Sequence, residues 1–138
     1  MGQVLKGNHM ELQNSAYFWQ KVDTLFLSSG FTIIRKKGEH HPQFANLIYP
    51  VDYGYINETK STNGHGISLY AGSENRNKIT SLVMAVDILG REMDVKVLVG
   101  CSLEEEEAVL RYLNQTDYQK TILVRKGEEL PSWAQTDD

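Results

Sequence analysis

Apolar residues recur along this chain with two different periods, and the switches between them outline its elements. Phe18, Val22, Leu25 and Phe26 fall at helical spacing, Asn14 or Ser15 stands ready to cap, and Gly30 ends the run. The spacing predicts an amphipathic helix lying on a core. Phe31-Thr32-Ile33-Ile34-Arg35 is β-branched and aromatic and reads as a strand, which Gly38 breaks. Residues 47–56 are extended and aromatic. Pro50 restricts Ile48-Tyr49 to β or polyproline geometry and Gly54 permits a close backbone approach, which suits an edge or a barrel seam. Residues 59–66, rich in Ser, Thr, Asn and Gly, form a loop. Ile67 to Tyr70 then alternates like a strand, with Ser68 on the face of Tyr70.

Ile79 to Ile88 and Val95 to Val99 read as two strands of a hairpin, with Gly90-Arg91-Glu92 in the turn. Ser102-Leu103-Glu104-Glu105 fits a capping box, and Val109, Leu110 and Leu113 supply the apolar stripe of a second helix from Leu103 to about Asn114. Lys120 to Arg125 makes a last strand. The alternation predicts Ile33, Ile67, Leu69, Val83, Ala85, Val95, Val97, Ile122 and Val124 inside, with Phe18, Val22, Leu25 and Leu110 packed against them. The first fourteen residues are polar and lack periodicity, and residues 127–138 are acidic and contain Pro131, so both ends read as loose tails around one domain spanning 15–126.

Composition narrows the class. A chain of 138 residues can bury one real core without staples. Cys101 is the only cysteine and has no internal disulfide partner, which points to a reducing compartment and the cytoplasm. No apolar stretch approaches the ~20 residues that a membrane span needs. A net charge of -4 gives no broad attraction to nucleic acid or anionic membrane, so an anion that binds must be drawn by a local site such as one near Arg35, Lys36 and Lys37.

The most informative stretch is Tyr49-Pro50-Val51-Asp52-Tyr53-Gly54-Tyr55-Ile56, because propensity alone does not require three tyrosines around one Gly and one Pro. It resembles the Tyr-Pro-x-Asn-Tyr-Gly-Tyr-Ile signature of soluble inorganic pyrophosphatases. The resemblance continues in Gly38-x-x-His41-Pro42, Asn63-Gly64-His65-Gly66-Ile67-Ser68, Asp87, Asp94-Val95-Lys96 and Val99-Gly100-Cys101-Ser102. It covers residues 15 to 126 and is similar to a small bacterial branch of that family.

The resemblance implies an α+β fold, a small closed five-stranded OB-like barrel with two flanking helices. It implies Mg²⁺-dependent hydrolysis of pyrophosphate, with Asp87, Asp94 and Lys96 as catalytic residues and Asp87 and Asp94 as metal ligands. Arg35, Lys37, His41, Tyr49, Tyr53 and Tyr112 fall where the family binds phosphate. It also implies a homo-oligomer. Such chemistry needs divalent metals, which neutralise the phosphates and lower the pKa of a bound water, together with cations that clamp the leaving phosphate.

One departure stands out. Where the family reads Asp-Gly-Asp-x-x-Asp, this chain has Asn63, His65 and Ser68. Asn keeps an oxygen without charge, Ser is a feeble Mg²⁺ ligand and His prefers softer ions. The expected activity is therefore weak or lost. The alternatives are a non-catalytic relative that binds phosphate-bearing ligands or protein partners, and a purely structural domain. Each residue also has a plainer explanation. Asp87 and Asp94 suit solvated hairpin carboxylates, the tyrosines suit amphipathic packing, and His40, His41 and His65 match no zinc spacing. Cys101 suits a small buried hydrophobe, and Glu104 to Glu107 a solvated helix start.

Overall fold

The computed structural model describes residues 16–61 and 64–126. The two predicted tails and Asn63 lie outside the described residues. In chain order the elements are α1 (Ala16–Ser29), β1 (Phe31–Arg35), β2 (Asp52–Ile56), β3 (Ser68–Ala71), β4 (Ile79–Asp87), β5 (Glu92–Val99), α2 (Leu103–Leu113) and β6 (Gln119–Arg125). None of the described helices is long and apolar enough to cross a membrane.

The strands form one sheet of six in the order β1-β2-β3-β5-β4-β6. All neighbours are antiparallel except β3 and β5, which run parallel with Leu69 opposite Val97. The closed five-stranded barrel expected from the resemblance is not formed: among the described residues the edges β1 and β6 do not pair. A helix occupies the span between them instead. Phe26 of α1 stacks on Phe31 of β1 with ring centroids 5.7 Å apart, and Asp23 of α1 accepts a 2.8 Å bond from the Lys126 ammonium just beyond β6.

Period-two alternation divides the sheet into two cores. Leu69, Ala71, Leu82, Val97 and Val99 pack with Trp19 and Phe26 of α1. Tyr70, Val83 and Leu98 point the other way and pack with Val109, Tyr112 and Leu113 of α2. Of the expected interior, Leu69, Val83, Ala85 and Val97 are buried and Ile33, Ile67, Val124, Val22 and Leu110 are partly buried. Phe18, Leu25, Val95 and Ile122 are exposed, against expectation. For the helix the cause is phase. Trp19 and Phe26, two turns apart, define its buried line, and Phe18 and Leu25 stand one residue, about 100°, around it. Val95 and Ile122 have the right parity but lie past the end of the helix's cover.

Helix α2 is fixed at its start by the predicted capping box. Ser102 Oγ accepts the Glu105 N–H at 3.2 Å, and Glu105 in turn accepts from Ser102 N–H at 2.9 Å and from Ser73 N–H at 3.1 Å. Burial opposes ionisation of Glu105, but these donors win and hold its carboxyl below the usual range. The glutamate run is not uniformly solvated: Glu106 is buried and bonds Arg125 of β6 at 3.2 Å.

Gly54 is where the tyrosine-rich segment meets β1 most closely. A Cβ there would stand 1.8 Å from the Thr32 carbonyl oxygen and 2.9 Å from Ile33 Cα, both backbone atoms that cannot swing aside. We expect Gly54→Ala to cost about 3 kcal/mol or more, as overpacking against fixed atoms does. Urea unfolding checks this, and an unchanged midpoint would mean that β1 and β2 do not approach as described.

Candidate functional site

A cavity of about 250 Å³ opens on the α2 side of the sheet, and tyrosines form much of its wall. Antiparallel pairing sets Tyr53 of β2 opposite Tyr70 of β3, with ring centroids 5.1 Å apart. Tyr49, held extended by Pro50, stacks on Tyr53 at 5.4 Å and on His41 at 6.0 Å. Tyr112 arrives from α2 and lies 5.4 Å from Tyr49, ring centroid to ring centroid. Burial pushes the phenols of Tyr49, Tyr70 and Tyr112 above their ordinary value, so all three are neutral hydrogen-bonding groups at physiological pH.

Charged groups reach the same cavity from the β4–β5 hairpin. Asp87 and Lys96 line it, and the Lys96 ammonium bonds Asp94 at 3.1 Å. Asp94 and Lys96 share a face because they are two residues apart on β5. Asp87 is partly engaged as a turn residue, its Oδ1 accepting the amides of Leu89 at 2.9 Å and Gly90 at 2.8 Å. The plainer reading of Asp87 as a hairpin carboxylate therefore holds alongside its place in the wall.

Thus Asp87, Lys96, His41, Tyr49, Tyr53 and Tyr112 line one cavity, and Asp94 adjoins it through Lys96. Arg35 and Lys37 are not in the wall. Arg35 stands 3.9 Å from Glu39, near enough to His41 that burial first, and Arg35 second, lower the imidazole pKa. Lys37 contributes its backbone: its N–H donates to Asp52 Oδ1 at 2.8 Å, while Arg76 holds Oδ2 at 3.0 Å. Burial raises the Asp52 pKa, but the Lys37 amide and Arg76 outweigh it, and the carboxyl sits low.

Of the three altered positions, Ser68 places its Oγ 3.3 Å from the Tyr53 hydroxyl. His65 is exposed on the β2–β3 loop, its carbonyl accepting the Ser61 N–H at 2.7 Å. Asn63 is outside the described residues. Among the described residues no three His, Cys, Asp or Glu side chains gather closely enough to hold a metal ion. The expected Mg²⁺ ligands Asp87 and Asp94 do not make such a group, since one is tied into a turn and the other paired with Lys96. The donor set does not fit the hard-cation cage of carboxylates that a two-metal site requires.

Cys101 is buried, and burial first, then Glu105 and Glu106, push its thiol up to about 12. It is an inert thiol and no nucleophile. Sequence reasoning missed Tyr70, Phe44, Tyr118 and Gln119 in the cavity wall. Only Tyr70 carried a signal, its parity with Ser68 on β3; the others come from loops and from the start of β6, where no period guides the eye.

Bacterial inorganic pyrophosphatases are among the solved structures to which this fold is similar. A crystal structure of an inorganic pyrophosphatase from Neisseria gonorrhoeae matches with a TM-score of 0.53 at 12% identity, over 72% of this chain and 85% of that chain. An inorganic pyrophosphatase from Helicobacter pylori matches with a TM-score of 0.42 at 12% identity, over 67% of this chain and 78% of that chain. No family model and no curated protein sequence matches the chain. The Neisseria likeness establishes a pyrophosphatase-like fold.

His41 gives the site a pH signature. Its folded pKa is lowered from the ordinary 6.5, so as pH falls the unfolded chain takes up the proton first. The stability contributed by neutral His41 is present above 6.5 and is lost as pH falls through that value toward the lowered one. We expect the urea midpoint to decline between pH ~7 and ~5, and His41→Asn to flatten that decline. An identical slope in the variant would assign the loss to other groups.

Proposed function

We propose that this chain is a pyrophosphatase-fold domain whose tyrosine-lined cavity binds a small phosphate-bearing ligand, and which hydrolyses pyrophosphate only weakly when supplied with Mg²⁺. The observation that carries this reading is the composition of the cavity: neutral phenols and Lys96 converge there, while among the described residues no group of three acidic or imidazole ligands does. Tyr49, Tyr53 and Tyr112 supply hydroxyl donors to phosphate oxygens, and Lys96 supplies the charge-assisted bond once it turns from Asp94. Arg35 adds long-range attraction from beside His41. The single buried thiol is consistent with a reducing cytoplasm.

Binding survives in this reading because hydroxyls and an ammonium act without a metal. Hydrolysis does not, because an attacking water must be activated, and Asp87 and Asp94 are already engaged. The register of β3 and β5, continued by one residue beyond Leu69 and Val97, sets Ser68 beside Lys96. A carboxylate at Ser68 would therefore sit near Lys96 and the Tyr53 hydroxyl, where it would turn the wall toward metal binding.

Purified protein assayed with Mg²⁺, Mn²⁺ and Zn²⁺ should turn over pyrophosphate at least ~10²–10³-fold below an ordinary member of the fold, the scale of losing one oriented electrostatic contribution. Asn63→Asp, His65→Asp and Ser68→Asp together should raise Mg²⁺ affinity and turnover, and each alone should do less, because ligands of one site act as a unit. Calorimetry should detect inorganic phosphate or pyrophosphate binding, weakened ~10-fold or more by Lys96→Met through loss of a charge-assisted bond. Ordinary turnover by the unaltered chain would overturn the catalytic half of the proposal. Absence of any phosphate binding would overturn the other half.

A further inference from the structure

On the face opposite the tyrosines, strand register defines rows of apolar side chains: Val97-Leu82-Val124, then Val95-Met84-Ile122. Helix α1 covers the first row with Trp19 and Phe26. The neighbouring stripe of the helix, Phe18, Val22 and Leu25 at i, i+4 and i+7, borders a cavity of about 360 Å³ between α1 and β5. Leu82 and Val97 form its buried floor, and Met93 and Val95 carry it out to the surface. Phe18, Leu25, Met93 and Val95 are each between 41% and 64% exposed, so the cavity opens to solvent among them.

The segment after β2 supplies a further wall, and that wall carries a charge. Thr59 Oγ1 donates to the Ile56 carbonyl at 2.7 Å and accepts the Ile67 N–H at 3.0 Å, which ties the segment to β2 and to the approach to β3. Ser61 Oγ donates to the His65 carbonyl at 2.9 Å. Lys60, between these two anchored residues, borders the cavity, and among the described residues it forms no ion pair. A lysine so placed lays its methylenes along apolar surface and keeps its ammonium in water at the rim. Asp94 also borders the cavity, but its carboxylate bonds the Lys96 ammonium at 3.1 Å, on the face that carries their register partners Ala85 and Val83. The cavity therefore joins an aliphatic interior to one cation that has no ionic partner among the described residues.

We propose that this cavity binds a medium-length aliphatic carboxylate, with its chain between α1 and β5 and its head at Lys60. The volume lies at the lower end of small-molecule sites, ~300–1,000 Å³, which suits a single chain better than a bulky ring system. Met93, flexible and polarisable, adapts to such a chain at the surface. A single ammonium balances a singly charged head. A phosphate ester, closer to two charges, calls for the fork of an arginine or a second cation. Chain and head are recognised separately, because each methylene buried strengthens binding about fourfold whatever the head. The site is independent of the phosphate-ligand reading, because the tyrosine cavity lies on the other face of the sheet.

Calorimetric titration of the full chain with hexanoate, octanoate and decanoate, each below its micelle concentration, tests the proposal. Affinity should rise ~10-fold or more from hexanoate to octanoate, two methylenes at about fourfold each. Lys60→Met should weaken octanoate ~5–10-fold, the scale of a rim ion pair with a charge-assisted bond, and leave octanol unchanged. Lys60→Arg should keep the octanoate affinity. Octanoate should also slow peroxide oxidation of Met93, and leave unchanged that of Met84, which is exposed on the same face but does not border the cavity. Failure of all three acids to bind would overturn the proposal. An equal effect of Lys60→Met on octanoate and octanol would overturn it too, as would Met93 left unprotected at saturation. Displacement of octanoate by inorganic phosphate would place the acid in the tyrosine cavity and overturn it equally.

Discussion

The pairing of β4 on both its edges is the constraint on which the rest of this structure depends. With β5 on one side and β6 on the other, β4 has no slack to slide, and a one-residue slip would move every side chain to the wrong face. Leu82 and Val83 therefore fix which core each neighbour joins. From that register follow the tyrosine cavity on one face, with Asp87 and Lys96 delivered to its rim, and the apolar rows on the other. The two helices report the same partition. Helix α2 completes the cavity with Tyr112, and α1 covers only the first row of the opposite face.

The cavity wall is built mostly from neutral aromatic and polar groups. Burial drives its phenols toward the protonated state, and it drives His41 toward neutrality. The charges at the wall are internally satisfied, Lys96 with Asp94 and Asp87 with two turn amides. A divalent ion entering such a wall would have to displace existing partners before gaining ligands. An anion would have to displace a single partner, Asp94 from Lys96, while the phenol hydroxyls need only rotate.

Much of this was legible in the sequence, and the limits were physical. Helix α2 could be read because its capping box, Ser102 with Glu105, is a local device with a local signature. The strands β4 and β5 showed through their alternation and the Gly90 turn. Whether the sheet closes was not legible, because closure depends on the distance between β1 and β6, the first and last strands of the described chain. The buried line of α1 was misread by one residue because four apolar residues, Tyr17, Phe18, Trp19 and Phe26, compete for two adjacent stripes, and only packing decides. Among the residues of the cavity wall, Tyr49, Tyr53, His41, Asp87 and Lys96 were findable from the motif. Tyr70 needed the register, and Tyr118 and Gln119 needed the fold.

Glu105 connects these levels. Its carboxylate caps α2 and at the same time takes the Ser73 amide in the turn after β3, so the helix start and the end of β3 are fixed to one group. Gly72 makes that possible, since a Cβ there would lie 2.4 Å from the Gly100 carbonyl oxygen and 2.5 Å from Glu105 Oε1. Tyr112 lies two turns along α2 from Glu105, and Tyr70 two residues before Gly72. The two rings meet edge to face across the cavity at 6.5 Å. The cavity's shape is thus set by a carboxylate that does not line it, through a helix rigid enough to carry the placement over about 10 Å.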